Sequence, residues 1–213
     1  MAYSAGFTPH PRVSYANAAP TGTASEAEYL EIALSERRDP EELRARLDES
    51  LPAGLDITDA VEARVSDFAD RLAASVWELR LDGVEPDEAA LAVKAFLAAD
   101  TVEVSRQTKK GVRTFDARAA VVALESRAGG SDGPAPRPCA ILRLVVRHLT
   151  PAVRPDDVLS GLRATADLAP PVPAAVTRLA QGPLDEETGT VTDPFAPDRD
   201  AAQRTAAVPE IAG

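Results

Sequence analysis

The chain has 213 residues, 45% of them apolar and only 4% aromatic, so it can bury a core, and that core must be built mostly from Ala, Val and Leu. A formal net charge of −11 argues against general binding to nucleic acid or to an anionic membrane surface. A single cysteine, Cys139, excludes an internal disulfide framework and any cysteine-built zinc or iron–sulfur site, and two histidines, His10 and His148, leave little for a His-rich metal site. No cofactor or metal is therefore expected. No run approaches the apolar length of a spanning helix and no signal peptide opens the chain, so the expected location is the cytoplasm, with no membrane partner.

The charge is unevenly spread. Residues 25–100 carry 20 acids against 8 bases, net −12, whereas residues 101–163 carry 6 acids against 11 bases, net +5. The basic middle runs against the global acidity and marks the place to look for an acidic or phosphate-bearing partner.

In chain order, "PRVSYA" reads as a strand. It is followed by a long connection holding Pro20 and Gly22, and then by a strand over residues 26–34 with Leu30, Ile32 and Leu34 on one buried side. A helix starts at Asp39, a good N-cap, with Pro40 at its first position and Glu41 and Glu42 at the positive end of its dipole; Leu43, Leu47 and Leu51 form its stripe. Residues 55–61, "LDITDAV", read as the next strand. The order β-β-α-β is that of a ferredoxin-like split βαβ module lacking its initial strand and helix. A joint is placed at 62–74.

The second half repeats the theme. "SVWELRL" alternates, with Trp77, Leu79 and Leu81 on one face. Residues 86–100 form a helix led by Pro86, with Leu91, Ala95 and Ala98 aligned. "TVEVSRQTKKGVRTFD" is a pair of strands around a Lys-Gly turn. "AVVALES" is a strand, residues 128–138 are a loop by composition, "CAILRLVVRHL" is a buried strand, and "RPDDVLSGL" is a helix led by Pro155. The expected fold class is α+β with two ferredoxin-like (split βαβ) modules, the first, over 1–62, lacking its initial strand and helix and the second over 75–163, followed by a Pro/Asp-rich, poorly ordered tail over 164–213 with a short helix at 174–180.

Three groups of residues invite chemistry. His10, clamped between prolines in "TPHPR", is the candidate general acid/base, although no Ser, Cys or Asp nucleophile stands at an informative spacing; the plain alternative is an exposed or packed histidine. Arg106, Lys109, Lys110 and Arg113 fall within eight residues with no acid among them, a candidate RNA- or partner-binding tip; an exposed hairpin tip is also commonly Lys-rich. Arg143 and Arg147, four apart on one strand, share a face interrupted by Val145 and form the third group, with Arg118 and Arg154 as possible neighbours. Asp156 and Asp157 read as helix-start electrostatics rather than a metal pair, and Cys139 as a small packed residue.

The run "AYSAGFTPHPRVSYANAAPTGTASEAEYLEI" resembles a radical-SAM-linked family, a domain of unknown function. "TKKGVRTFDARAAVVAL", "CAILRLVVRHLTPAVRPDDVLSGL" and "ADLAPPVPAAVTRLAQG" match it in order. Members of that family stand beside, or are fused behind, a radical SAM enzyme with a cobalamin-binding-type domain. The resemblance implies an accessory role, without catalysis, in binding that enzyme or presenting its substrate, for which RNA is the candidate. With one cysteine this chain cannot itself ligate a four-iron cluster. Family members carry a further strand and an Arg-rich helix in front. The resemblance therefore implies that Met1 occupies an internal family position, through a misplaced start or a truncated gene, and that −11 overstates the native acidity. The alternative function is a stand-alone RNA-processing or RNA-modifying enzyme using His10.

Overall fold

A computed structural model describes residues 1–5, 7–109, 111–130 and 137–206. The chain is mixed α+β and divides into two compact units. The first gathers Met1–Ala18, Glu28–Arg71 and the segment from Asp193; the second holds Ala19–Ala27 and Leu72–Thr192.

In the first unit, β1 (Val13–Ala16) pairs antiparallel with β3 (Tyr29–Ile32), as the alternation predicts. Helix α1 (Pro40–Ser50) starts where its cap dictates: Asp39 accepts from the amides of Glu41 and Glu42, and Pro40 supplies the pre-set φ of the first turn. Its leucine stripe is not buried, nor is the expected face of β3, where Leu30 is exposed. The strand expected over 55–61 joins no ladder among the described residues. The Ile57 amide donates instead to Asp48 on α1 at 2.7 Å, and the Ile57 carbonyl accepts from Arg44 at 3.1 Å, so these backbone groups are spent on helix side chains. The interior of this unit is an aromatic cluster. Tyr29, Phe68 on the short helix α2 (Phe68–Arg71) and Phe195 pack with centroids 5.3–5.6 Å apart, Tyr29 edge-on to Phe195. Helix α5 (Ala196–Ala206) follows Phe195.

In the second unit, five strands run in the order β2-β9-β4-β8-β7. Strand β4 (Ala74–Asp82) is antiparallel to β8 (Cys139–Arg147) and to β9 (Ala175–Gly182), and β8 is antiparallel to β7 (Val121–Ala128). The two-residue β2 (Ala24–Ser25) lies parallel along β9. Helix α3 (Pro86–Ala98) follows β4 and α4 (Pro155–Ala166) follows β8. Both pack on the face that carries Trp77, Leu79, Leu81, Leu142, Leu144 and Val146. The alternation of β4 thus lands as predicted. The expected stripe of α3 does not: Leu91 is 68% exposed, and Ala89, Ala92, Val93 and Phe96 turn inward. The helix has two apolar sides, and the one holding its only aromatic ring gains more by burial.

Strands β5 (Glu103–Thr108) and β6 (Gly111–Asp116) pair antiparallel as expected, but this pair forms its own two-stranded sheet, with Gly111 of the expected Lys-Gly turn opening β6. The helix expected at 174–180 is a correction: from Ala175 these residues enter β9, inside the main sheet rather than in a loose tail. The Ala-rich run has helical propensity, but β4 has an open edge there, and pairing along Ala74–Arg80 satisfies more backbone than an isolated helical turn. Of the expected tail, 164–206 contributes the end of α4, β9 and α5, while 207–213 lie outside the described residues. Residues 131–136 of the expected loop also lie outside them.

Candidate functional site

His10 sits in a small loop closed by backbone bonds. Tyr3 bridges Pro11, the Ser4 amide donates to the His10 carbonyl at 2.9 Å, and the His10 amide donates to Ser4 Oγ at 3.1 Å. The flanking prolines leave the loop few conformations. The imidazole is exposed, and among the described residues no carboxylate or hydroxyl bonds to it. The arrangement a general base shows, with a nucleophile on one nitrogen and an orienting group on the other, is not formed around His10.

The basic hairpin is divided by its fold. Register sets Arg106 opposite Arg113. Arg106 turns toward α4: Nη1 meets Asp157 Oδ2 at 2.8 Å, Nη2 donates to the Ala152 carbonyl at 3.2 Å, and the guanidinium lies 5.0 Å from the Phe115 centroid. Asp157 is buried and also accepts the Arg154 amide at 2.8 Å, closing the first turn of α4. Burial pushes its carboxyl up, against the pull of that amide and of Arg106. Arg106 is thus a tie between hairpin and helix. Lys109 and Arg113 remain exposed, and Lys110 lies outside the described residues.

Arg143 and Arg147 point to the sheet face away from α3 and α4. Register places Arg143 between Glu78 on β4 and Glu125 on β7. Arg147 Nη2 meets Glu186 Oε2 at 2.6 Å, and Val145 between them is buried. Their expected neighbours face elsewhere: Arg154 caps α4 on the helix side, and Arg118 Nη1 donates to the Val121 carbonyl. This face therefore carries a ladder of mixed charge, and the fold does not join it to the hairpin tip.

Two further features stand out. The first is a Ser–His pair: Ser75 Oγ lies 2.8 Å from His148 Nε2, and His148 Nδ1 lies 2.5 Å from the Leu72 carbonyl. A carbonyl only accepts, so Nδ1 carries the proton and Nε2 accepts from the serine hydroxyl. Ser75 is fully buried, so the pair holds the end of β8 to the start of β4 rather than presenting a nucleophile. Burial pushes the imidazole pKa down, against the pull of the Leu72 carbonyl, and nearby Arg178 lowers it further. A group that resists protonation when folded leaves stability intact above its unfolded value, about 6.5, and drains it as pH falls through the lowered one. Urea midpoints followed by Trp77 fluorescence should fall between pH 7.5 and pH 5, and His148→Gln should flatten that slope; an equal slope in both proteins would assign the pH dependence elsewhere. Only the end of the β8 alternation, where a polar residue follows the apolar run, hinted at this role.

The second feature is an apolar face. Val13 pairs with Ile32 and Tyr15 with Leu30, so all four side chains share one side of the β1–β3 hairpin. The other side carries Ala16, which is buried, and Tyr29 of the aromatic cluster. Tyr15 is 67% exposed, and Val13 and Leu30 are exposed with it.

Among the described residues, no three His, Cys, Asp or Glu side chains gather as a metal would require, and no helix is long and apolar enough to cross a membrane. The architecture defines a mixed α+β protein of two units whose polar clusters largely tie its own elements together. Residues 1–155 match a family model described as an uncharacterized protein conserved in bacteria (DUF2344), and the chain belongs to that family. No curated protein and no solved structure matches it.

Proposed function

We propose that this protein is a non-catalytic, cytoplasmic accessory of a radical SAM enzyme with a cobalamin-binding-type domain, and that it binds that enzyme through the outer face of the β1–β3 hairpin. The partner is supported by the resemblance drawn from the motifs above. The mode is supported by one observation: Val13, Tyr15, Leu30 and Ile32 form a contiguous apolar strip on a two-stranded sheet, with Tyr15 largely in solvent. Grouped exposed apolar side chains mark interaction surfaces, and tyrosine is among the residues that dominate them. In the same reading the second unit is a ferredoxin-like split βαβ module, since its β4, β7, β8 and β9 stand in the order β9-β4-β8-β7 with helices on one face.

The test is recovery of the radical SAM enzyme with a C-terminally tagged chromosomal copy, identified by mass spectrometry. Tyr15→Glu with Leu30→Glu should weaken capture by roughly 2 kcal/mol or more, about thirtyfold in affinity, with an unchanged circular dichroism spectrum. Capture at full strength by that variant would remove the hairpin from the interface.

A second reading, presentation of an RNA substrate, is favoured by the exposure of Lys109 and Arg113 at one hairpin tip. Lys109→Glu with Lys110→Glu should then lower RNA retention without unfolding. Recovery of RNA alone, with cleavage abolished by His10→Ala, would favour the stand-alone RNA-enzyme alternative.

A further inference from the structure

Strand β7 is the last strand of the five-stranded sheet, and it is eight residues long, while the opposite edge, β2, has only two. A long open edge exposes a row of backbone donors and acceptors, which proteins blunt with prolines, bulges or charged side chains. The β7 sequence, VVALESRA, holds no proline, and its one irregularity lies at Val121/Ala123, leaving the rest regular.

The hydrogen-bond phase of this edge follows from the ladder. The Gly129 amide donates to the Cys139 carbonyl at 2.8 Å, so in alternation Arg127 and Glu125 direct their backbone groups to Ile141 and Arg143 on β8. The amides and carbonyls of Leu124, Ser126 and Ala128 consequently point away from the sheet. On the face opposite the helices, Glu78, Arg143 and Glu125 stand side by side on β4, β8 and β7, alternating in sign.

We propose that β7 pairs antiparallel with β7 of a second copy of this chain, about a two-fold axis at Ser126, to make a continuous ten-stranded sheet. In that register Ser126 exchanges both backbone bonds with Ser126 of the partner subunit. Leu124 bonds with the partner's Ala128, and Glu125 lies opposite the partner's Arg127. In each copy Arg127 already meets its own Glu78 Oε2 at 3.0 Å, and on pairing it stands opposite the partner's Glu125, so the row Glu78, Arg143, Glu125 and the partner's Arg127 keeps its alternation across the axis. Two-fold axes at the neighbouring positions are disfavoured, because an axis at Glu125 sets carboxylate against carboxylate and one at Arg127 sets guanidinium against guanidinium. A two-fold interface must be self-complementary, and within this stretch the Ser126 register meets that condition.

Sedimentation of the full-length protein across the micromolar range tests this. The expected result is a reversible species of twice the 22.4 kDa chain mass. Ser126→Ala, which leaves the backbone intact, should keep the dimer, whereas Ser126→Pro removes an outward amide without touching the β8 ladder and should give a monomer. Glu125→Arg should weaken association by roughly tenfold or more by placing like charges opposite one another twice. Adding Arg127→Glu to it restores opposite signs across the axis and should recover association relative to Glu125→Arg alone, short of the wild-type level because the swap gives up the pairs with Glu78 and Arg143 within each chain. Thermal melts of each variant show whether the monomer is still folded. A wild-type chain that stays monomeric throughout, a dimer that survives Ser126→Pro, or a double swap that fails to rescue a folded Glu125→Arg would each overturn the proposal.

Discussion

Asp198→Ala is expected to cost the first unit about 3–5 kcal/mol, the range for breaking a buried ion pair from one side. Asp198 is 3% exposed and stands at the start of α5. Its Oδ2 meets Arg71 Nη1 at 2.6 Å, and its Oδ1 accepts the amides of Arg64 and Val65 at 2.7 and 2.8 Å. Removing the carboxylate leaves a mostly buried guanidinium without that counter-charge and two backbone donors without their acceptor. The site also lies beside the aromatic cluster, since Arg71 sits 5.5 Å from the Phe68 ring that packs on Tyr29 and Phe195. Burial pulls the Asp198 carboxyl up, but Arg71 and the two amides together outweigh it and hold it below the usual carboxylate range. Its contribution is therefore complete above about pH 4 and is lost as pH falls through the lowered value. Hydrogen exchange at Arg64 and Val65 is the direct readout. Both amides should lose protection in the variant, and in the wild-type protein they should do so only under acid. A loss below about 1 kcal/mol, the range of an exposed pair, would mean that Asp198 is solvated.

Phe96→Ala should destabilise the second unit by about 3–5 kcal/mol. The ring is fully buried where α3 meets α4. Opposite it α4 carries Gly161, and a Cβ built there would lie 2.6 Å from a Phe96 ring carbon and 3.0 Å from Val102. The glycine is what lets the ring in, so truncating the ring leaves a void that no α4 side chain can fill. Gly161→Ala alone should cost about 1–3 kcal/mol from overpacking, reduced by the better helix propensity of alanine. The double variant should cost less than the sum, because removal of the ring makes room for the new methyl group. Trp77, the single tryptophan, lies in the same core and reports unfolding directly. Additive costs would show that the two residues do not share the contact.

What could be read from the sequence was local in origin. Asp39 and Pro40, Pro86 and Pro155 each open a helix at the expected residue, because capping and a pre-set φ act within one turn. The alternation of Trp77, Leu79 and Leu81 and the pairing of β5 with β6 were legible for the same reason. The candidate site was less so. The pairing of β5 with β6 was legible, but the composition of the hairpin did not say that Arg106 would turn inward. That depended on Asp157, 51 residues away, needing a cation beside its buried carboxylate. Nor could periodicity choose between the two apolar sides of α3.

By itself, then, the sequence determined the helix starts, the turns and most of the strands. Tertiary structure alone decided that residues 175–182 enter the sheet as β9 rather than coil into a helix, that Ile57 spends its backbone groups on α1, and that Asp198 reaches back 127 residues to Arg71. The physical reason is the same in each case. Propensity and capping distinguish conformations by about 1 kcal/mol per residue, whereas pairing a sheet edge or satisfying a buried charge is worth several, and those partners are set by the fold rather than by sequence neighbours.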